Sequence, residues 1–95
     1  ERVYEDDKMI VIRDVAPAAP VHVLMIPKAH TENIITAGPE LLLYMFGKVK
    51  ELAEKLGVNE KGFRIVANTG DDGGQTVKHL HIHLLGGKAL GWPPC

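Results

Sequence analysis

Six residues near the carboxyl end of this 95-residue chain, His79-Leu80-His81-Ile82-His83-Leu84, alternate imidazole with aliphatic side chains without a break. A β-strand sorts that spelling into two clean faces, because its side chains point alternately to opposite sides. Leu80, Ile82 and Leu84 read as the core face. His79, His81 and His83 share the other, so three of the 5 histidines form one stripe. A solvated face needs no such stripe, since Ser, Thr or Lys would serve equally well. A row of imidazoles points to metal ligation or to chemistry run by a group titrating near neutrality.

The rest of the chain supplies partners for such a strand. Val3-Tyr4 reads as a first short strand, Met9 to Arg13 as a second, and Val21 to Ile26 as a third ended by Pro27. Between the last two, Asp14 to Pro20 breaks regularity, since proline disfavours helix before it and cannot donate to a sheet. His30 or Thr31 starts a short helix. Pro39 to Leu56 predicts a long one, with Leu42, Met45, Phe46, Val49, Leu52, Ala53 and Leu56 at steps of three and four. Pro39 suits its first turn and Gly57 its stop. Phe63 to Asn68 is a further strand, and Val77 to Leu85 carries the histidines after a turn at Gly70 to Gly74. Short connections between the late strands favour an α+β domain spanning 1–95: an antiparallel sheet of about five strands with one long and one short helix. Leu41, Leu43 and Tyr44 make the start of the long helix apolar nearly all round. That surplus suits a contact with a second protomer or packing under a loop.

Composition narrows the class. Hydrophobic residues make up 45% and charged residues 24%, values of a globular domain. A net charge of -1 gives no reason to expect nucleic acid or an anionic membrane as partner. The longest apolar run, Leu41 to Phe46, is far short of the roughly 20 residues that span a bilayer. No signal-peptide pattern opens the stretch, and Cys95 is the lone cysteine, so no intrachain disulfide forms. These features predict a cytoplasmic enzyme or binding protein.

Three readings of the stripe remain open on residues alone: a polar strand face, a metal site, or catalysis by imidazole. Metal is disfavoured by geometry. His79 and His83 lie about 13 Å apart along an extended strand, whereas zinc ligands sit only ~2 Å from the metal. A neutral imidazole, by contrast, is a good nucleophile at neutral pH, and a phosphoryl-imidazole bond is labile to water. Such chemistry needs an anion cradle. Gly73-Gly74-Gln75-Thr76 stands just upstream, where glycines let backbone N–H groups approach phosphate oxygens and Gln75 and Thr76 add donors. A plain hairpin connection explains the same turn.

At this point the residues resemble a known family. The run from Gly73 to Gly87 resembles the histidine-triad (HIT) superfamily signature, His-X-His-X-His with apolar X. Gly86-Gly87 and Trp92-Pro93-Pro94 are similar to its Hint branch, the purine nucleoside phosphoramidases. Further matches are Tyr4-Glu5-Asp6-Asp7, Asp14-Val15-Ala16-Pro17, Pro20-Val21-His22, Ile26-Pro27-Lys28-Ala29-His30 and Asn68-Thr69-Gly70.

The resemblance implies an unequal division of labour. His81 would attack the α-phosphorus and become transiently nucleotidylated, while His83 would contact the phosphate oxygens. His79 and His22 would form a relay orienting His81. Asp14 would hold the ribose hydroxyls and Val15 the base. Asn68, Gly74, Gln75 and Thr76 would line phosphate and ribose. Trp92 would shape specificity across a homodimer, and His30 reads as structural. Thr76 stands where the family often has Ser, which preserves the hydroxyl. The amino-terminal segment that carries zinc-binding cysteines in some bacterial relatives is not in this stretch, so neither metal nor cofactor is expected. The implied activity is hydrolysis of purine nucleoside 5′-phosphoramidates or aminoacyl-adenylates, with an AMP-type nucleotide as partner. Two alternatives stand beside it: dinucleoside polyphosphate hydrolysis, as in the Fhit branch, and a nucleotide-binding regulatory or scaffold role.

Overall fold

A computed structural model describes residues 2–93, so Pro94 of the tail motif and Cys95 lie outside the described residues. Five strands form: β1 (Arg2–Glu5), β2 (Met9–Arg13), β3 (Val21–Pro27), β4 (Phe63–Val66) and β5 (Ile82–Gly86). Two helices, α1 (Pro39–Gly47) and α2 (Val49–Leu56), stand between β3 and β4. The strands make one sheet in the order β1-β2-β3-β5-β4, and every neighbouring pair is antiparallel. The α+β architecture read from the sequence is therefore the one found. No helix is long and apolar enough to cross a membrane among the described residues.

Alternation divides the sheet. Met9, Val11, Val23, Met25, Ile82 and Leu84 are buried on one face, where Met45 of α1 and Leu52 and Ala53 of α2 close the core over them. The other face carries His22 and His83 with half-buried Ile10, Ile12, Leu24 and Ile26, and neither helix packs on it. In register, His83 is flanked by Leu24 of β3 and Val66 of β4. One pair further along, Leu85 is flanked by His22 and Arg64. This half-open face is what positions the site.

β1 and β4 differ from their sequence reading only at their ends, as Arg2–Glu5 and Phe63–Val66, while three elements differ more. The long helix is interrupted at Lys48, whose N–H turns to Met45 C=O at 3.1 Å before the helix resumes with Leu52 N–H on Lys48 C=O at 3.0 Å. Gly47 is a poor helix former, and the Lys48 ammonium lies over the rings of Tyr4 and Tyr44, 5.7 and 5.4 Å from their centroids. Tyr44 also donates to Asp6, as does Tyr4 at 2.8 Å, which ties the bend to the β1–β2 turn. That phenol contact from Tyr44 holds the Asp6 carboxyl well below the usual carboxylate range.

The short helix expected from His30 or Thr31 is a single turn, closed by Ala37 N–H on Asn33 C=O at 3.0 Å. Thr36 Oγ1 and Asn33 Oδ1 take the neighbouring N–H groups of this turn, an alternative to helical bonding. The histidine strand, read as Val77 to Leu85, pairs only from Ile82. Two residues beyond the Met25–Ile82 pair, the register sets Pro27 opposite Leu80. Proline has no N–H for that ladder, and Leu80 N–H instead meets Thr31 C=O at 2.8 Å.

Candidate functional site

The hydrogen bonds around the four site histidines fix which ring nitrogen carries each proton. Ala18 N–H points at His22 Nδ1 from 3.0 Å, so that nitrogen must accept and the His22 proton sits on Nε2. His22 Nε2–H then donates to His83 Nδ1 at 2.9 Å. The His83 proton is thereby placed on Nε2. At His81 the logic gives the opposite tautomer: its Nδ1 lies 2.9 Å from His79 C=O, which can only accept. Nδ1–H therefore donates, and His81 Nε2 keeps a free lone pair. His79 Nε2 donates to Pro27 C=O at 2.9 Å. The His81 and His83 rings meet edge-on with centroids 5.2 Å apart. A lone-pair nitrogen thus stands beside a ring whose tautomer is fixed by the proton it accepts from His22.

This wiring differs from the relay implied by resemblance, in which His79 and His22 both serve His81. His79 orients His81 through its main-chain carbonyl, whereas His22 holds His83. Register explains the split: His22 is opposite Leu85, so its ring leans diagonally onto His83, two residues away on the same face.

Asp14 completes the group. Its Oδ1 accepts Ala16 N–H at 2.8 Å, fixing the turn after β2, and its Oδ2 lies 3.4 Å from His22 Nε2. Asp14, His22 and His83 bring their donor atoms within 4.8 Å of one another, close enough for a divalent cation. A metal on His22 Nε2 would force the proton to Nδ1, where it would meet the Ala18 N–H. The donor set suits a held proton better than a cation.

Burial lowers the His83 pKa below the ordinary imidazole value of 6.5; the nearby His81 and His22 add to this, and Asp14 opposes it. The folded state therefore takes up the His83 proton less readily than the unfolded chain. His83 contributes stability in full above about pH 6.5, and that contribution is lost as pH falls through its lowered folded value. A His83→Gln variant is expected to show a smaller fall in Tm between pH 7 and pH 5 than the native protein. Equal slopes in thermal melts would show that His83 is not the group responsible.

The loop before β5 is clamped from within. Gln75 Oε1 accepts Gly70 N–H at 2.9 Å, and its Nε2 donates to Glu32 C=O at 2.8 Å and Val77 C=O at 3.0 Å. The donor expected to face phosphate is thus engaged with backbone, because the carbonyls of Glu32 and Val77 lie within its reach. Asn33, not singled out from the sequence, is buried and donates to Gln75 Oε1 at 3.3 Å. The readable signal was its place at the end of the polar triplet Thr31-Glu32-Asn33, where an Asn commonly bonds N–H groups two and three residues on. Asn68 Nδ2 donates to Gly73 C=O at 2.7 Å. Gly74 takes φ +75°, a left-handed conformation that favours glycine. Thr76 is exposed, Val15 is 100% exposed beside Asp14, and His30 is 5.5 Å from the His79 ring. Trp92, also exposed, lies 5.8 Å from the guanidinium of Arg64, another residue the sequence reading passed over.

Comparisons with known proteins place the chain by family and by fold. The family model described as the HIT domain matches residues 1–90. An uncharacterized HIT-like protein of Synechococcus elongatus is 55% identical over 95 residues, covering 97% of this chain and 82% of that protein. The crystal structure of a HIT family hydrolase from Legionella pneumophila superposes with a TM-score of 0.94 at 42% identity, covering 99% of this chain and 87% of its own. A histidine triad nucleotide-binding protein from Candida albicans gives a TM-score of 0.81 at 30% identity, covering 97% and 73%.

Proposed function

Because the chain belongs to the HIT domain family, we propose that it hydrolyses purine nucleoside 5′-phosphoramidates through a nucleotidyl-His81 intermediate. The observation that carries this reading is the pair of opposed tautomers: His81 with Nε2 unprotonated, and His83 with Nε2 protonated. A phosphorus placed over this pair meets a nucleophile and a donor for its oxygens without any prior proton transfer. The relatives described as a hydrolase and as a nucleotide-binding protein support the same class.

In the first step His81 Nε2 attacks phosphorus in line, a P–N bond forms to the ring, and the P–N bond to the amine breaks. The leaving nitrogen takes a proton from solvent and departs as a free amine. Nδ1–H stays on His81, and His79 C=O supports the positive ring that results. Water then attacks phosphorus, loses a proton to solvent, and the ring–phosphorus bond breaks, releasing the nucleoside monophosphate and restoring neutral His81. Asp14 serves the ribose hydroxyls and exposed Val15 the base. Asn68, Gly74 and Thr76 border the phosphate, and Gln75 shapes the loop that presents them.

A second copy of the chain completes the assembly in this reading. β4 is the sheet edge next to the site, and Leu43, Phe46 and Phe63 leave apolar surface exposed. Trp92 would then bear on substrate selection near the pairing edge. A fluorogenic adenosine 5′-phosphoramidate and a diadenosine polyphosphate separate this activity from its alternatives. We expect the higher kcat/KM on the phosphoramidate. A higher value on the polyphosphate would favour the Fhit-like activity, and tight AMP binding without turnover of either would favour a regulatory role.

A further inference from the structure

We infer that a cationic cleft on the β4 side of the phosphate site recognises a free carboxylate on the leaving group, and so selects phosphoramidates of amino acids over aminoacyl-adenylates. The inference rests on the phosphoryl-transfer reading above. A cavity of about 540 Å³ opens beside the loop, with Ala18, Asn68, Arg64 and Lys88 among its lining residues. Among the described residues, Arg64 and Lys88 are the only charged ones that line it, and none of the lining residues is acidic. Neither cation has an acidic partner among the described residues. The Trp92 ring over Arg64 braces the guanidinium without neutralising it.

Strand order gives the cleft its role. Arg64 and His22 flank Leu85 from opposite sides of β5, on the face that carries His83. Asp14 lies beyond His22, on the β2 side, with neighbouring strands about 4.8 Å apart. A nucleotide whose ribose meets Asp14 lays its phosphate over β5. The β4 side is then left for the other substituent on phosphorus.

The two substrate classes differ in what that substituent carries. In a phosphoramidate of an amino acid the nitrogen is joined to phosphorus, so the α-carboxylate is free and negative. In an aminoacyl-adenylate the carboxyl is joined to phosphate, so the amine is free and positive. Two unpartnered cations attract the first and repel the second.

Adenosine 5′-phosphoramidates of alanine and of alaninamide differ by that single charge and test the assignment. In the native protein the carboxylate substrate should lead by roughly fivefold or more in kcat/KM. In an Arg64→Gln/Lys88→Gln variant the ratio should fall toward one, and taking the ratio within each protein cancels any general loss of active enzyme. A native ratio near one, or a ratio that survives the double substitution, overturns the cleft assignment. If the double variant instead loses only diadenosine polyphosphate turnover, the cleft holds a second phosphate and the assignment is likewise wrong. If native protein turns over neither phosphoramidate, the activity reading fails separately. The Kd difference between the two compounds, and its loss in the variant, then decides the cleft.

Discussion

Replacing His81 with Ala is expected to lower kcat/KM on an adenosine phosphoramidate by on the order of 10⁴-fold or more, as loss of a covalent nucleophile does elsewhere. The size of the effect follows from the wiring. Among the four site histidines, His81 alone has Nε2 free of any protein partner and unprotonated by the constraint of its other nitrogen. His83 cannot substitute, because its Nδ1 is filled by the His22 proton and its Nε2 carries hydrogen. Removing His83 should cost less, about 10²–10³-fold, the usual loss for one donor to developing charge. His81 is only half-buried and lies outside the core, so the Ala variant should keep its fold and melt within a few degrees of the native protein. Mass analysis of native protein quenched during turnover should find the nucleotidyl group on the peptide containing His81. Full activity in the Ala variant would sink the covalent mechanism, whatever the fate of the adduct.

The distinction between His81 and His83 also shows where the sequence stops being readable. Apolar runs bounded by turn residues give two strands closely: Met9 to Arg13 is recovered residue for residue, and Val21 to Ile26 gains only Pro27. The stripe, Asp14 and His22 were legible as one site because their types and spacing resemble a family pattern. Their partners were not. Whether His22 serves His81 or His83 depends on the β3–β5 register, set by residues 61 positions apart. Gln75 poses the same problem. A carboxamide suits phosphate and backbone equally, and the choice is made by Glu32 and Asn33, 43 and 42 residues away. The helix interruption at Lys48 likewise reflects Tyr4, a residue of β1 that no local periodicity could bring to it. Local spelling sets faces and elements, while the pairing of polar groups is a property of the finished packing.

Gly73→Ala is expected to have the second largest effect, although the residue touches no imidazole. An added Cβ at this position would lie 2.3 Å from Thr69 C=O oxygen and 2.8 Å from Thr69 N. Both are backbone atoms and cannot rotate aside, so the loop itself must move. That motion works against three bonds that close it: Gln75 N–H on Gly70 C=O at 3.0 Å, Gly74 N–H on Asp71 C=O at 3.0 Å, and Asn68 on Gly73 C=O at 2.7 Å. Overpacking of this kind costs about 1–3 kcal/mol where the surroundings hold firm. An exposed loop can relieve it by shifting, which transfers the damage from stability to geometry. A displacement of about 1 Å in groups that border the phosphate is worth on the order of 10²-fold in kcat/KM. The variant should therefore lose far more activity than Tm. Gly47→Ala is the matching control, since an added Cβ there meets nothing within 4 Å. It should raise stability by about 0.5–1 kcal/mol through helix propensity and leave turnover unchanged. Native kcat/KM in Gly73→Ala would mean that the loop's shape is not what presents the phosphate to His81, and that the cradle is a connection only.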